Sequence, residues 1–223
     1  YMDSIPMVAI TGQVPSHLLG RDIFQEVDIT GAVAPFSKHS YLVKDVNDIP
    51  RIFKEAFHIA NTGRRGPVLI DVPCDIQNAE IKKFAYPETV FMRTYKPTVK
   101  GNIVQIKKVV AELEKARRPL ICAGGGVLLS GAETELLAFA EKKQIPVVST
   151  MMGIGVMPTR HPLYFGMVGN NGKAYANRAM NESDLLLMVG ARVADRAVNQ
   201  PDLIMNNKVL IHMDVDPAEI GKN

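Results

Sequence analysis

The stretch from Pro119 to Gly126, which reads PLICAGGG, constrains the fold of this chain more than any other. Its apolar run lies between a proline and three glycines, a pattern typical of a strand buried on both faces of a parallel sheet. Successive glycines allow a tight turn and a close approach of the backbone to a bound group. The next residues, Val127 to Lys143, have the spacing of a helix packed on that sheet. Strand, glycine loop and helix predict the first half of a nucleotide-binding βαβ unit, with an ordinary tight turn as the alternative.

The usual dinucleotide fingerprint is not met in this stretch. After Gly124 and Gly126 the third glycine would fall at position 129, which is Leu129, and the next glycine is Gly131. The following strand, Ile145 to Ser149, ends without the acidic residue that would bind a ribose. The sequence therefore indicates a related sheet with a different loop rather than an NAD-type site.

Composition excludes several classes of protein. The 223 residues are 47% hydrophobic and 22% charged, which is typical of a soluble globular protein, and the net charge of +3 gives no support for nucleic-acid binding. No apolar run is long enough to span a membrane and no signal peptide is visible. Two cysteines in apolar surroundings and scattered histidines indicate a reducing, cytoplasmic location and no metal site.

The first eighty residues predict only part of a domain. Met7 to Gly12 and Pro67 to Pro73 each have the pattern of a buried strand, and a helix is expected to begin at Asp48 as its cap. About thirty residues between them show no sustained periodicity, which is unusual within a compact domain. We therefore expect residues 1–80 to be the end of a larger α/β domain and 81–100, with Pro87 and Pro97, to be a linker.

Residues 101–223 predict a second domain of alternating strands and helices. Its strands are expected at Leu120–Ala123, Pro146–Ser149, Asp184–Val189 and Lys208–Met213. This alternation predicts an α/β fold with an open, mostly parallel sheet and helices on both faces.

In such a sheet the ligand lies at the carboxyl ends of the strands. The residues that follow the predicted strands are glycines, a hydroxyl, an arginine and two aspartates, a set that suits the diphosphate and ribose of an adenine nucleotide. They are Gly124–Gly126, Thr150, Gly190–Arg192, Asp214 and Asp216. Each also has a structural interpretation. Asp216 with Glu219 could begin a helix, Thr150 could merely end its strand, and Arg192 and Arg196 could be solvated loop charges.

The chain contains no recognisable catalytic set of its own. It has no Ser–His or Cys–His arrangement, no Walker loop and no metal triad. A nucleotide site without an acid, base or nucleophile suggests a cofactor-binding domain rather than a complete enzyme.

Several phrases taken together resemble the large subunit of acetohydroxyacid synthase, also called acetolactate synthase. They are PMVAITGQVP, DIFQEVDITG, KHSYLVKDV, EAFHIANTGRRGPVLIDVP, AGGG, GARVADR and HMDVDPAEIGKN, and they cover essentially the whole chain in order. The resemblance implies a thiamine-diphosphate enzyme with three α/β domains. Residues 1–80 would be the end of its pyrimidine-binding domain, and 101–223 the central domain that binds FAD without net redox use.

The resemblance also implies the activity of the whole enzyme. Pyruvate is decarboxylated on thiamine diphosphate with Mg²⁺ and condensed with a second pyruvate or with 2-ketobutyrate, in branched-chain amino-acid biosynthesis. The activating glutamate of the family lies upstream of anything that matches Tyr1, and its Gly-Asp-Gly metal motif does not occur here. We therefore expect the chain alone to be inactive. The partners implied are a homodimer or homotetramer and a regulatory small subunit.

Site residues follow from the resemblance position by position. Phe24 and Gln25 match residues that line the substrate channel of the neighbouring subunit, and Arg196 matches an arginine that faces the second keto acid. The positions that match flavin contacts are Arg64, Gly124, Gly125, Gly126, Thr150, Met151, Met152, Val168, Gly169, Asn170, Asn171, Gly190, Ala191, Arg192, Arg196, Asp214, Asp216 and Glu219.

Three departures from the family pattern leave flavin affinity open. Asn170 and Asn171 stand where Met and His are common, Ala194 replaces an aspartate, and Cys74 replaces a lysine. Two other interpretations also stay open. One is another thiamine-diphosphate enzyme, such as pyruvate oxidase or oxalyl-CoA decarboxylase, and the other is a non-catalytic nucleotide-binding or oligomerisation module.

Overall fold

The computed structural model describes residues 1–194, 197 and 208–222, and the chain divides into two compact units, Tyr1–Val99 and Lys100–Asn223. None of the described helices is both long and apolar enough to cross a membrane. Every pairing between described strands is parallel. The predicted α/β class with parallel sheets is confirmed.

The first unit contains a three-stranded sheet in the order β1-β3-β2. Its elements are β1 (Met7–Gln13), α1 (Ile29–Val33), β2 (His39–Leu42), α2 (Ile49–Asn61), β3 (Pro67–Pro73) and α3 (Cys74–Gln77). All seven residues of the central strand β3 are buried, as its unbroken apolar run predicts. The apolar stripe of α2, which includes Ile52, Ala56 and Ile59, packs with β3 in one cluster.

Two sequence expectations for the first unit were wrong. Strand β2 lies in the stretch that was expected to be irregular, because a strand of four residues is too short to show periodicity. Asp48 does not cap α2 with its side chain, since it ends a short 3₁₀ turn and its carboxylate pairs with Arg51 at 3.1 Å. Pro50 lies in the first turn of α2. A backbone N–H at this position has no intrahelical acceptor, so proline costs the helix no hydrogen bond there.

Residues 81–99 contain no helix or strand among those described, yet they are attached to the first unit. Met92 and Tyr95 pack against the core of this unit. The Tyr95 hydroxyl donates to the carbonyl of Thr62 at 2.8 Å, at the end of α2. The segment that the sequence predicts as a linker is therefore packed on this unit through Met92 and Tyr95.

The second unit contains a five-stranded sheet in the order β6-β5-β4-β7-β8. Its elements are α4 (Ile103–Lys115), β4 (Pro119–Ala123), α5 (Gly125–Ser130), α6 (Glu133–Lys143), β5 (Val147–Ser149), β6 (Tyr164–Met167), α7 (Ala174–Glu182), β7 (Leu185–Val189) and β8 (Val209–Met213). Helix α7 packs on one face, and α4, α5 and α6 pack on the other. Helices on both faces of this sheet are thus confirmed. Asn102 caps the start of α4, because its side chain accepts from the N–H groups of Val104 and Gln105.

The helix predicted from Val127 to Lys143 is two helices. Gly131 ends α5 in the left-handed conformation with φ +68°, and its N–H bonds back to the carbonyl of Leu128 at 3.1 Å. A glycine suits this position because a side chain there strains the backbone. The glycine that comes two residues after the fingerprint position 129 therefore acts as a helix cap. Strand β6 was also not predicted, because Gly166 with φ +86° interrupts a run of only four residues.

Asp184 joins the start of β7 to the turn before β4 and so keeps these two strands in register. Its carboxylate accepts from the backbone N–H groups of Arg117 and Arg118 at 2.8 and 2.9 Å. Partial burial alone would raise the pKa of Asp184, but the two N–H donors outweigh it and lower the pKa below the ordinary value of 3.8.

We expect Asp184→Asn to lower the free energy of unfolding by about 1 kcal/mol at neutral pH, because a neutral amide accepts these N–H groups more weakly. The folded-state pKa is depressed, so the contribution is present above pH 3.8 and is lost as the pH falls through the folded pKa. Urea unfolding of both proteins at pH 7 and pH 3 measures this. A difference as large at pH 3 as at pH 7 would contradict the role of the charge.

Candidate functional site

The chain order of the five-stranded sheet places its topological switch point between β4 and β7. From β4 the chain passes outward through β5 to β6, and then returns to the other side of β4 for β7 and β8. The connections on the two sides of β4 thus leave in opposite directions at the carboxyl edge. In open α/β sheets ligands bind at this switch point.

The glycine loop after β4 packs directly on the backbone that leaves β7. The N–H of Gly124 donates to the carbonyl of Val189, and that of Gly126 to the carbonyl of Gly190, both at 2.9 Å. A Cβ at Gly124 would lie 2.3 Å from the Gly190 oxygen, and a Cβ at Gly126 would lie 2.6 Å from the Gly190 Cα. The absence of side chains therefore lets two loops of the protein touch, whereas the sequence suggested only an approach to a bound group.

Thr150 lies on the other side of the loop, at the end of β5. Its N–H donates to the carbonyl of Ala123 at 2.9 Å, and its own carbonyl accepts from Gly153 at 3.0 Å. A Cβ at Gly153 would lie 2.3 Å from the oxygen of Ala123, so this glycine is also required for close packing. Gly153 was not among the predicted site residues. A glycine four residues beyond a strand, opposite another glycine loop, is the signal that could have identified it.

Gly169 forms a turn that is fixed by a side chain from α7. The side chain of Asn177 accepts from the N–H of Gly169 at 2.9 Å and donates to its carbonyl at 3.0 Å. The predicted contacts Asn170 and Asn171 are exposed in this turn, while Val168 before it is buried. Asn177 was not predicted, because nothing in the sequence places a residue of α7 beside this turn.

The end of β8 carries two aspartates in succession. Asp214 accepts from the N–H of Asp216 at 2.9 Å, and Asp216 accepts from the N–H of Ala218 at 3.0 Å. These are local turns of the Asx type, and the described residues 217–221 form turns. The Asp214 side chain is 12% exposed, with an oxygen 3.9 Å from Nε2 of His212.

The remaining predicted residues fall in other parts of the chain. Ala191 is buried and Arg192 half-buried where the chain leaves β7. Arg196 lies outside the described residues. Phe24, Gln25 and Arg64 belong to the first unit, where Nε of Arg64 donates to Ser4 at 3.2 Å and its guanidinium lies 4.8 Å from the Tyr1 ring. The assignment of all these residues to a flavin or substrate site stays a prediction.

Exposed apolar side chains beside the strand ends suit a planar ligand. Met151 is 75% exposed and Met152 is 45% exposed in the turn after β5, and Met213 and Val215 are exposed at the end of β8. Methionine side chains adapt their shape to flat, polarisable groups. A nucleotide that carries an aromatic ring system therefore fits the chemistry of this edge, with hydroxyl, guanidinium and carboxylate groups available for its polar parts.

Cys122 does not contribute a nucleophile to this edge. Burial in β4 raises the pKa of the Cys122 thiol to about 12, so that it stays protonated. Cys74 and Cys122 are both free thiols. No cluster of metal-binding side chains occurs among the described residues.

Comparison with known proteins gives concordant results. Residues 106–223 match the family model described as the central domain of thiamine pyrophosphate enzymes. The chain is 47% identical over its whole length to acetolactate synthase from Arthrospira platensis, 45% identical over its whole length to the acetolactate synthase large subunit from Haemophilus influenzae, and 47% identical over 99% of its length to that from Corynebacterium glutamicum. The alignments span 39%, 39% and 35% of those proteins.

A solved structure shows a similar fold. It is a candidate thiamin diphosphate-dependent enzyme from Mycobacterium smegmatis, aligned over 98% of this chain and 42% of its own with a TM-score of 0.78 and 25% identity. The present chain thus resembles under half the length of each of these proteins.

Proposed function

This chain belongs to the thiamine pyrophosphate enzyme family, and on that premise we propose that it is part of an acetolactate synthase in which the second unit binds FAD. The observation that carries the proposal is the switch point between β4 and β7, where we infer a ligand crevice because a glycine loop, Thr150, Arg192 and Asp214 follow neighbouring parallel strands. The high identity to acetolactate synthases over the whole chain supports the choice of enzyme.

The described residues suggest how the cofactor would be bound. Arg192, half-buried after β7, would pair with the diphosphate, and the Asp214 carboxylate would accept from a ribose hydroxyl. The exposed Met151 and Met152 would cover part of the flavin ring. The glycine loop would present backbone rather than side chains to the cofactor, since it packs closely on Gly190.

The complete enzyme would condense two 2-keto acids with loss of CO₂. Thiamine diphosphate with Mg²⁺, when bound, supplies the electron sink for decarboxylation. The residues of this chain would bind the flavin and border the substrate path, with Phe24, Gln25 and Arg196 assigned to that path by their match to the family. Pyruvate and 2-ketobutyrate are the proposed substrates, and a homodimer or homotetramer with a regulatory small subunit the proposed assembly. The cytoplasmic location stays a prediction.

Titration of the 223-residue chain with FAD, followed by flavin fluorescence, tests the cofactor site. We expect saturable binding, which Arg192→Ala weakens about tenfold because one charge-assisted contact to the diphosphate is lost. Arg178→Ala is the matched control. Arg178 is exposed on α7 and pairs with Glu182 at 2.6 Å, so its removal changes the charge of the same unit equally without touching the crevice.

Equal weakening by both substitutions would mean non-specific attraction and would contradict the assignment of Arg192. Absence of saturable binding at high micromolar FAD would contradict a flavin site in this chain, and would favour a packing module instead. Assay of the chain with pyruvate, thiamine diphosphate and Mg²⁺ then tests the second part of the proposal. We expect no acetolactate from the chain alone, and turnover would contradict its assignment as an incomplete part.

A further inference from the structure

The loop between β1 and α1 in the first unit is closed at its base by one side chain. Gln13, the last residue of β1, donates from Nε2 to the carbonyl of Val27 at 2.7 Å, fourteen residues further along. Its amide oxygen accepts from the N–H of Val14 at 2.9 Å. A surface loop whose ends are joined in this way is an Ω-loop, a class that is compact and often functional. We call residues 14–27 the Ω-loop.

The Gln13 amide is itself fixed by a buried carboxylate. Nε2 also donates to Asp71 at 3.0 Å, and the Thr11 hydroxyl donates to the other Asp71 oxygen at 2.8 Å. Asp71 lies in the central strand β3 and is only 1% exposed. A carboxylate buried this deeply is tolerated only where donors satisfy its oxygens. Thr11 and Gln13 do so from one face of β1, since they are two residues apart.

Further contacts order the interior of the Ω-loop. Asp75 accepts from the N–H of Ser16 at 2.9 Å and from its hydroxyl. Glu26 accepts from the N–H groups of Gly20 and Ile23. The N–H of Gly20 lowers the pKa of Glu26, and the Ser16 hydroxyl lowers that of Asp75, so both groups are charged at neutral pH. The Ω-loop is thus tied to α3 near its start and to itself near its end.

The tip of the Ω-loop presents an aromatic side chain to solvent. Phe24 is 88% exposed in a turn that the N–H of Glu26 closes on the carbonyl of Ile23 at 3.0 Å. Gln25 has φ +63°, a conformation that residues other than glycine rarely adopt. Such a conformation persists where the surroundings determine it, and it is most common at functional sites. The hydrogen bonds within the Ω-loop hold Gln25 in this conformation.

We propose that Asp71 is a positioning residue that fixes the Ω-loop through Gln13 and thereby places Phe24 and Gln25, an assignment that rests on the function proposed above. Asp71 touches neither the tip nor a substrate. It acts by orienting the Gln13 amide, which then joins β1 to Val27. Hydrogen-bond acceptance is the property required of residue 71, and its charge is secondary.

Chymotrypsin cleavage after Phe24 in the 223-residue chain measures the release of the Ω-loop. Phe91, which is 85% exposed, provides an internal reference within the same unit. We expect Gln13→Met to accelerate cleavage after Phe24 about tenfold relative to Phe91, because cleavage follows the population of the open loop. We call the closure of the Ω-loop by Gln13 and Asp71 the clamp. Unchanged relative cleavage after Phe24 would overturn the clamp. An equal increase at both sites would mean general unfolding and would also overturn it.

Variants of Asp71 separate hydrogen bonding from bulk and charge. In Asp71→Asn the amide oxygen can accept from Gln13 while its NH₂ donates to the Thr11 hydroxyl, so we expect cleavage after Phe24 close to that of the unmodified chain. Asp71→Leu removes both acceptors and should match Gln13→Met. If Asp71→Asn releases the loop as fully as Asp71→Leu does, positioning by hydrogen bonds is overturned.

Kinetics of the complete enzyme test the functional part separately. We expect Gln13→Met to raise KM for pyruvate about threefold or more with a smaller change in kcat and no change in FAD affinity, since substrate contacts are displaced and the chemistry is not. Faster cleavage after Phe24 with unchanged KM would overturn the positioning role and leave the clamp. An unmodified complete enzyme that makes no acetolactate would instead overturn the proposed function, while the cleavage result would still report on the clamp.

Discussion

Replacement of Gly124 by alanine is expected to destabilise the second unit by about 3 kcal/mol, since the added methyl group would collide with backbone atoms. Its Cβ would lie 2.3 Å from the oxygen of Gly190 and 2.6 Å from the Cα of Ala191. Neither atom can move without displacing the end of β7 from its neighbours. Urea unfolding followed by far-UV circular dichroism measures the loss, and the chain's lack of tryptophan makes this signal preferable to intrinsic fluorescence.

Gly101→Ala is the matched control for this substitution in the same unit. Its Cβ would lie 3.1 Å from Cδ1 of Ile106, the far end of a flexible side chain that can rotate away. We expect a change within about 0.5 kcal/mol, of either sign. Equal effects of the two substitutions would mean that the glycine loop is not packed on β7 as described.

The Gly124→Ala substitution also links stability to the proposed cofactor site. The proposed crevice lies where the glycine loop contacts Gly190, with Thr150 and Arg192 following the strands on either side of β4. If the methyl group separates β4 from β7 at this edge, FAD affinity should fall together with stability. Arg192→Ala, in contrast, should lower affinity with little effect on unfolding. The pair of variants therefore distinguishes the structural from the binding function of this edge.

The sequence predicted the elements whose patterns are long or strongly apolar. PVLIDVP and PLICA form β3 and β4, because continuous apolar runs between prolines and glycines leave few alternatives. The short strands β2 and β6 were missed, since four residues show no period and Gly166 interrupts one of them. Gly131 divided a helix that periodicity alone makes continuous.

Prediction of the candidate site from the sequence was limited in a similar way. Convergence of the strand ends could be predicted, because parallel strands place their carboxyl ends at one edge. The partners of the glycines could not be predicted, since their contacts depend on β7 lying beside β4 across sixty residues of sequence. Asn177 and Gln13 were missed for the same reason. Asn177 bonds to a backbone group eight residues away and Gln13 to one fourteen residues away, and no periodic pattern in the sequence links these positions.

Lys38→Met is expected to be the most damaging surface substitution in the first unit, with a loss of about 3 kcal/mol. The Nζ of Lys38 donates to the carbonyls of Ile59 and Thr62, the latter at 2.7 Å, and to the Tyr95 hydroxyl at 2.9 Å. A cation at the carboxyl end of α2 satisfies carbonyls that lack intrahelical partners and complements the helix dipole. Methionine keeps the length and apolar stem of the side chain but removes the cationic donor, so that the Tyr95 hydroxyl alone remains to donate to these carbonyls.

Lys54→Met isolates the part of this effect that comes from aromatic contact. Lys54 lies 5.0 Å from the centre of the Tyr86 ring, while Lys38 lies 5.2 Å from that of Tyr95, so both substitutions remove a similar cation–π contact. Because no hydrogen bond of Lys54 occurs among the described residues, we expect a loss of only about 0.5 kcal/mol in urea unfolding. Tyr95→Phe should fall between the two, because it removes the donor to Thr62 and one acceptor of Lys38 while keeping the ring. A loss in Lys38→Met no larger than in Lys54→Met would show that the hydrogen bonds of Lys38 to the carbonyls of Ile59 and Thr62 add nothing to stability.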